Sequence, residues 1–420
     1  MLLKMTKKLL FLFCFTFSNM YAYSQEHNNK FLNELKKINF KTYGVINYYG
    51  FDWDTDTEKR NEFDTERFNT YIYYDFNKHI QFKAEIEFEH GGTGVTMELD
   101  KLEEFGEFET EVEAGGDVKI DQINILFKWK PWLNFRLGRV KLYMGNAQKL
   151  DLPTQYFTGQ RSSMESTLIP VGWYENGIEL LGKFGKRQQF SYQAYLVNGL
   201  NSQGFSSANW IKRGYQQRFE TINADNLAFA GRFDYLLPNK EGYIGLSAYA
   251  GDANGNRHKN DLKNTKGMIN LFDAHFHIVK EHWRVNGMVM YGNLQNSDKI
   301  SEANRNLSNA LNVKRTPVAK NALGYYVEGG YNILNFLDDR IAKKLYVFGR
   351  YDFYDSMYKT AGNIIDNPRW ERSITTFGAN YFVNPGVILK AHYAVNKLGI
   401  ATNNIDRTFL LGMAFTFKTN

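Results

Sequence analysis

From Asp273 to Gly292 the chain reads DAHFHIVKEHWRVNGMVMYG, and apolar and polar side chains alternate along it with a period of two. Ala274, Phe276 and Ile278 fall on one face, with Asp273, His275 and His277 on the other. After the turn-like Lys280-Glu281-His282 the alternation resumes, setting Trp283, Val285, Gly287, Val289 and Tyr291 against Arg284, Asn286 and Met288. The segment predicts a hairpin with one apolar and one polar face. Such a hairpin fits a half-buried sheet, or a membrane barrel whose apolar face meets lipid and whose polar face meets water.

The same pattern recurs along the chain. Ile80, Phe82, Ala84, Ile86 and Phe88 oppose Gln81, Lys83, Glu85, Glu87 and Glu89. Leu227, Phe229, Gly231, Phe233 and Tyr235 oppose Ala228, Ala230, Arg232 and Asp234, and Val387, Leu389, Ala391 and Tyr393 oppose Ile388, Lys390 and His392. Phe409, Leu411, Met413, Phe415 and Phe417 close the chain on one face, and Asp121 to Ile123 breaks phase as a bulge would. Roughly sixteen such segments lie between Tyr43 and Lys418, each near the ~9 to 11 residues of a tilted membrane strand. Their connections alternate. Asn77-Lys78, Lys130-Pro131, Gly185 to Arg187, Pro238 to Gly242, Lys280 to His282 and Asn384-Pro385 are tight, with a longer turn from Asn332 to Lys343. Phe51 to Thr65, Val140 to Gly172, Gly199 to Asn226 and Gln295 to Asn321 are long, and Glu107, Glu109, Glu111 and Glu113 suggest strands extended into the second long loop. Short periplasmic turns alternating with long outer loops predict an all-β, up-and-down transmembrane barrel over residues 43–418.

The N-terminus supports export. Lys4, Lys7 and Lys8 precede an apolar run from Leu9 to Phe17, and Ala22-Tyr23-Ser24 is a cleavage site, so residues 1–24 read as a signal peptide. Residues 25–42 read as a periplasmic segment, in which Phe31, Leu32, Leu35 and Ile38 recur at helical spacing. The single cysteine, Cys14, lies in the leader, which leaves the exported chain without disulfide or thiol chemistry. No apolar run beyond the leader reaches the ~18 residues of a helical span. Removing the three leader lysines from 51 basic residues leaves 48 against 45 acidic ones, a balance that gives no reason to expect nucleic acid.

PWLNFRLGRVKLYMG (Pro131 to Gly145), IPVGWYENGIELLG (Ile169 to Gly182), YQAYLVNGLN (Tyr192 to Asn201) and AGRFDYLLPNKEGYIGLSAYAGD (Ala230 to Asp252) resemble the family of phosphate-selective porins O and P. The resemblance covers most of the exported chain and is more specific for fold than for solute. It implies a sixteen-stranded homotrimeric porin of the bacterial outer membrane, whose third long loop folds into the pore.

The loop Val140 to Gly172 is too long for a mere connection, which marks it as the candidate constriction. It carries Lys141, Lys149 and Arg161, with Arg139 at its base, against Asp151 and Glu165. Basic side chains in a narrow pore lower the barrier for anions. Lys83, Lys128, Arg136, Arg232, Arg284, Arg350 and Lys390 are expected along the lumen, together with Glu85, Glu87, Asp234, Asp273, Glu328 and Asp352. His275 and His277 offer a His-x-His pair, but a polar lumen wall accounts for them and no metal site is assigned. Asp52, Asp54 and Asp56 have the spacing of a calcium loop, yet Thr57 and Phe63 stand where that motif needs Gly and Glu; Asp252, Asn254 and Asn256 fail alike. The expected function is passive diffusion of small hydrophilic solutes or anions, with no reaction and no cofactor. Two rivals are a closed-lumen adhesin or ligand-binding barrel and a barrel phospholipase or protease. The latter needs a nucleophile and base brought together by the fold, and the chain has no G-x-S-x-G.

Overall fold

The computed structural model describes residues 37–100, 109–216, 221–307, 314–336 and 343–419. The leader, the helical spacing up to residue 36, and Glu107 lie outside the described residues. Sixteen strands run β1 (Ile38–Trp53), β2 (Glu62–Asn77), β3 (Ile80–Asp100), β4 (Glu109–Lys130), β5 (Leu133–Lys141), β6 (Tyr174–Phe184), β7 (Phe190–Asn198) and β8 (Leu227–Leu236). They continue as β9 (Gly242–Asp252), β10 (Met268–Lys280), β11 (Trp283–Leu294), β12 (Asn321–Asn332), β13 (Lys344–Lys359), β14 (Glu371–Asn384), β15 (Val387–Leu398) and β16 (Ile405–Lys418). Each pairs antiparallel with its neighbours in sequence, and β1 with β16, so the sheet closes without an edge.

The expected bulge is present: Gln122 faces Glu85 and Ile120 faces Ile86, and Asp121 is skipped. The backbones of β3 and β4 stay paired out to Asp100 opposite Glu109. One boundary is corrected. β1 begins at Ile38 rather than near Tyr43, because β2 and β16 run past Tyr43 and supply partners: Ile38 faces Tyr74 and Lys41 faces Lys418. A backbone lying against open strands pairs with them rather than continuing a separate segment.

The two faces of the sheet reverse the order of a soluble protein. Phe229, Leu246, Phe377, Val327 and Leu411 are exposed on the outside, while Arg232, Asp234, Ser247, Asp273, Glu328 and Arg350 are buried inside. Leaving each of those large apolar side chains in water forgoes ~1.5 to 3 kcal/mol, so the outer surface is built for lipid. At the end with the short turns, Trp129, Trp132, Trp283 and Phe417 are exposed, as in the aromatic girdle at a membrane interface. All backbone groups of such a barrel are paired in lipid, so it unfolds as a whole. Accordingly, the unboiled protein will run as a compact band on a detergent gel and shift on boiling; a water-soluble monomer needing no detergent would contradict this.

In the half of the lumen nearer the long loops, loop side chains pack against the wall. Leu200, Phe205, Trp210 and Ile211 from the loop after β7, Ile300 from the helix α2 (Ser297–Arg305; α1, Ser163–Leu168, lies in the loop after β5) and Val318 pack with Val197, Ile269, Leu271 and Met290 of the wall. Small inward residues of the wall make room for these loops: a Cβ at Gly292 would meet Trp210, one at Gly324 would meet Met164, and one at Gly330 would meet Phe157.

Candidate functional site

The loop at 142–173 leaves β5, turns into the barrel and touches walls on every side. At its root the Leu142 N–H donates to the Trp173 carbonyl at 2.9 Å. Gly145 then makes a tight turn at φ +68°, where a Cβ would meet the Glu165 carboxylate and a Met288 side chain. Its N–H donates to Asp273 Oδ2 of β10 at 3.1 Å, and the next two amides, of Asn146 and Ala147, donate to Glu165 Oε1 at 2.8 and 2.9 Å. Burial lifts the Glu165 carboxyl to about 7 against those two amide bonds. Asn146 Nδ2 reaches the carbonyls of Phe276 and Gly287 at 3.1 and 2.9 Å, which stitches the turn to β10 and β11.

On the opposite wall, Asp151 is a hub. It accepts from Lys141 Nζ and from the Tyr71 hydroxyl at 2.7 and 2.8 Å, and from the Arg161 guanidinium. Burial opposes its charge, but Lys141 and then Arg161 outweigh burial and hold the carboxyl well below the usual range. Next to it, Arg67 donates to the Tyr156 hydroxyl at 2.7 Å. Phe157 stacks on Phe348 with ring centres 5.1 Å apart, and its carbonyl accepts from Asn380 Nδ2 at 2.8 Å.

Four of the expected lumen bases hold this loop by its backbone or hydroxyls. Arg232 donates to the Gly145 carbonyl, Arg284 to Thr154 O at 3.1 Å, Lys390 to Tyr156 O and Thr158 O at 2.9 and 2.8 Å, and Arg350 to Thr158 Oγ1 at 2.7 Å. The physical reason is that an irregular segment carries carbonyls with no ladder partner, and buried acceptors need donors. Arg232 is also paired with Asp234, Arg350 with Asp352, and Arg136 with Glu179. Lys83 lies 4.9 Å from the Tyr71 ring centre, and Lys128 pairs with Asp75 at 3.4 Å near the short-turn end.

The four bases expected at the constriction are brought near the loop but not into one free cluster. Lys141 and Arg161 meet at Asp151, whereas Lys149 lies across the lumen, 2.7 Å from Asp234 and 3.9 Å from the centre of the Tyr243 ring. Burial, with help from the Arg232 guanidinium, lowers the Lys149 ammonium to about 8 against the pull of Asp234. Arg139, in β5, donates to Asp121 O and Gln216 O at 3.1 and 3.3 Å. His275 places Nδ1 at 2.5 Å from Asp273 and Nε2 at 2.9 Å from Asp234, so both nitrogens face carboxylates; His277 stands apart beside Tyr243. Asp52 and Asp54 lie within ion-pair reach of Arg407, and Asp252 Oδ1 accepts from the amides of Asn254 and Gly267. Tyr71 of β2 and Asn380 of β14 escape sequence reading as site residues, because nothing in a period of two distinguishes a wall residue that meets a loop from one that meets water; Asn146 and Tyr156 of the loop escape it because an irregular segment has no period to read.

Beneath the loop, a vestibule of about 1400 Å³ opens toward the short turns, lined by Tyr143 and Lys149 of the loop, Leu181, Lys183, Ser191, Gln193 and Tyr243 of the wall, and the turns at Lys186 and Lys240.

No family model matches this chain. It is 29% identical over 362 residues to an uncharacterized protein of Aquifex aeolicus (strain VF5), across 85% of this chain and 75% of that relative. Among solved structures it is similar to OmpT of Vibrio cholerae in its trimer form, with a TM-score of 0.51 and 10% identity over 90% of this chain and 99% of that one. It is likewise similar to an anion-selective porin of Comamonas acidovorans, with a TM-score of 0.51 and 11% identity over 90% and 99%. At such low identity these likenesses establish architecture. The chain has the sixteen-stranded fold of bacterial outer-membrane porins.

Proposed function

We propose that this protein is a porin of the bacterial outer membrane, giving small hydrophilic solutes and anions, phosphate among them, passive passage through a water-filled pore narrowed by the loop 142–173. It performs no reaction, uses no cofactor and assembles as a homotrimer. The observation that carries this reading is the loop itself, tied across the lumen by wall bases above the vestibule. The likeness to a Vibrio cholerae protein described in a trimer form supports the assembly, and the likeness to an anion-selective porin supports the solute class.

Single-channel recording in planar bilayers, with reversal potentials across a KCl gradient, tests it. Discrete conductance steps are expected; their absence at every voltage would overturn the reading. In a confined aqueous passage a fixed charge ~4 Å from an ion is worth about 1 to 4 kcal/mol, whereas on an open rim it is screened within ~8 Å. Lys183→Glu with Lys186→Glu in the vestibule will therefore move the reversal potential toward cations. Lys59→Glu with Arg60→Glu, in the exposed first loop, will leave it nearly unchanged.

The buried apolar cluster of the long-loop half favours a second reading, a closed-lumen ligand-binding barrel. The same recordings separate the two, because a closed lumen gives no steps.

A further inference from the structure

The vestibule below the loop combines two chemistries that a simple water path does not need. Its cations are Lys149, Lys183, Lys186, Arg187 and Lys240, and no aspartate or glutamate lines it. Asp234 stands behind Lys149, where it is shared with Arg232 and His275. Among the described residues Lys183, Lys186, Arg187 and Lys240 have no ion-pair partner, so their charge faces the cavity mouth. Lys183 is also close enough to Lys149 to oppose its charge.

Between these cations the lining mixes the polar side chains of Asn134, Gln188, Gln189, Ser191, Gln193 and Asn239 with apolar surface. The Tyr143 and Tyr243 rings come from the loop and from β9, and Leu181 and Leu236 from β6 and β8. A hydrated inorganic anion gains nothing from that apolar surface and loses water by touching it. An anion with a flat apolar body gains on both counts: its charged end meets ammonium groups, and its ring covers tyrosine and leucine. The volume, about 1400 Å³, accommodates an organic molecule of many atoms rather than one small ion.

We infer that the vestibule is a binding site for organic anions with a flat apolar body, aromatic carboxylates being the simplest class. This deepens the channel reading and rests on it for the route by which such an anion arrives, while the binding itself can be read without any current.

The test titrates the full-length protein, refolded in a neutral detergent, with terephthalate, succinate and inorganic phosphate at one ionic strength, by calorimetry. Terephthalate is expected to bind at least about tenfold more tightly than either of the others, the difference that ~1.4 kcal/mol of ring burial gives. Lys183→Gln with Lys186→Gln will weaken terephthalate and succinate together. Leu181→Ser with Leu236→Ser will remove the preference for terephthalate and leave succinate unchanged. Equal affinity for all three anions in the native protein overturns the inference without recourse to any variant, as does a preference that survives the serine pair. A protein that conducts but shows no preference overturns this inference alone. One that binds terephthalate but never conducts overturns the channel reading alone.

Discussion

Asp151→Ala will release the lumen loop and raise single-channel conductance more than neutralising any one of the bases that contact it. Lys141 and Arg161 both converge on this carboxylate; Lys141 and Asp151 are buried and the Arg161 side chain is 13% exposed. Removing the acid leaves two cations without their counter-charge in a site that excludes water, a loss of ~3 to 5 kcal/mol. The Tyr71 hydroxyl loses its acceptor at the same time. The barrel wall, held by strand pairing, will persist, and the heat-modifiable band will remain. A triple change, Asp151→Leu with Lys141→Met and Arg161→Met, will recover much of the order of the loop, because apolar residues of similar size often replace a buried ion cluster at no net cost. Conductance of Asp151→Ala equal to that of the native protein would mean that this hub does not hold the constriction.

Leu246→Arg will destabilise the barrel by ~2 to 4 kcal/mol if it lies near the bilayer midplane, since it sets a charge against hydrocarbon. Leu246 is 61% exposed on the outer face, opposite Ala274 of β10 and Phe233 of β8. Ser191→Arg, which points the same charge into the vestibule, will cost far less. Urea unfolding of protein refolded into lipid vesicles measures both. A larger loss at Ser191 would show that the inward and outward faces have been assigned in reverse, and equal losses that the two faces do not separate lipid from lumen.

The alternation at β8 shows how much of this architecture is legible without coordinates. Leu227, Phe229, Phe233 and Tyr235 are exposed and Arg232 and Asp234 buried, as their period of two requires. The same holds at β15, where Leu389 is exposed while Lys390 and His392 are buried. The long third loop is recognisable by its length alone, and its basic residues by their identity. Their partners are not. Arg350 reaches Thr158 from 192 positions away and Lys390 reaches Tyr156 from 234. These bases, read as lumen lining, prove to be the tethers of a loop.

By itself the sequence determined which face of each strand meets lipid, how many strands there are and which connections are long, because a two-residue period and the thickness of a bilayer act locally on each segment. Only the tertiary structure decided what the inward charges do. A charged side chain on a lumen wall has the same local signature whether it meets water, a carboxylate or the carbonyl of a loop folded back across the barrel. The choice between those partners is made by closure, which brings strands and loops remote in sequence to within hydrogen-bond distance.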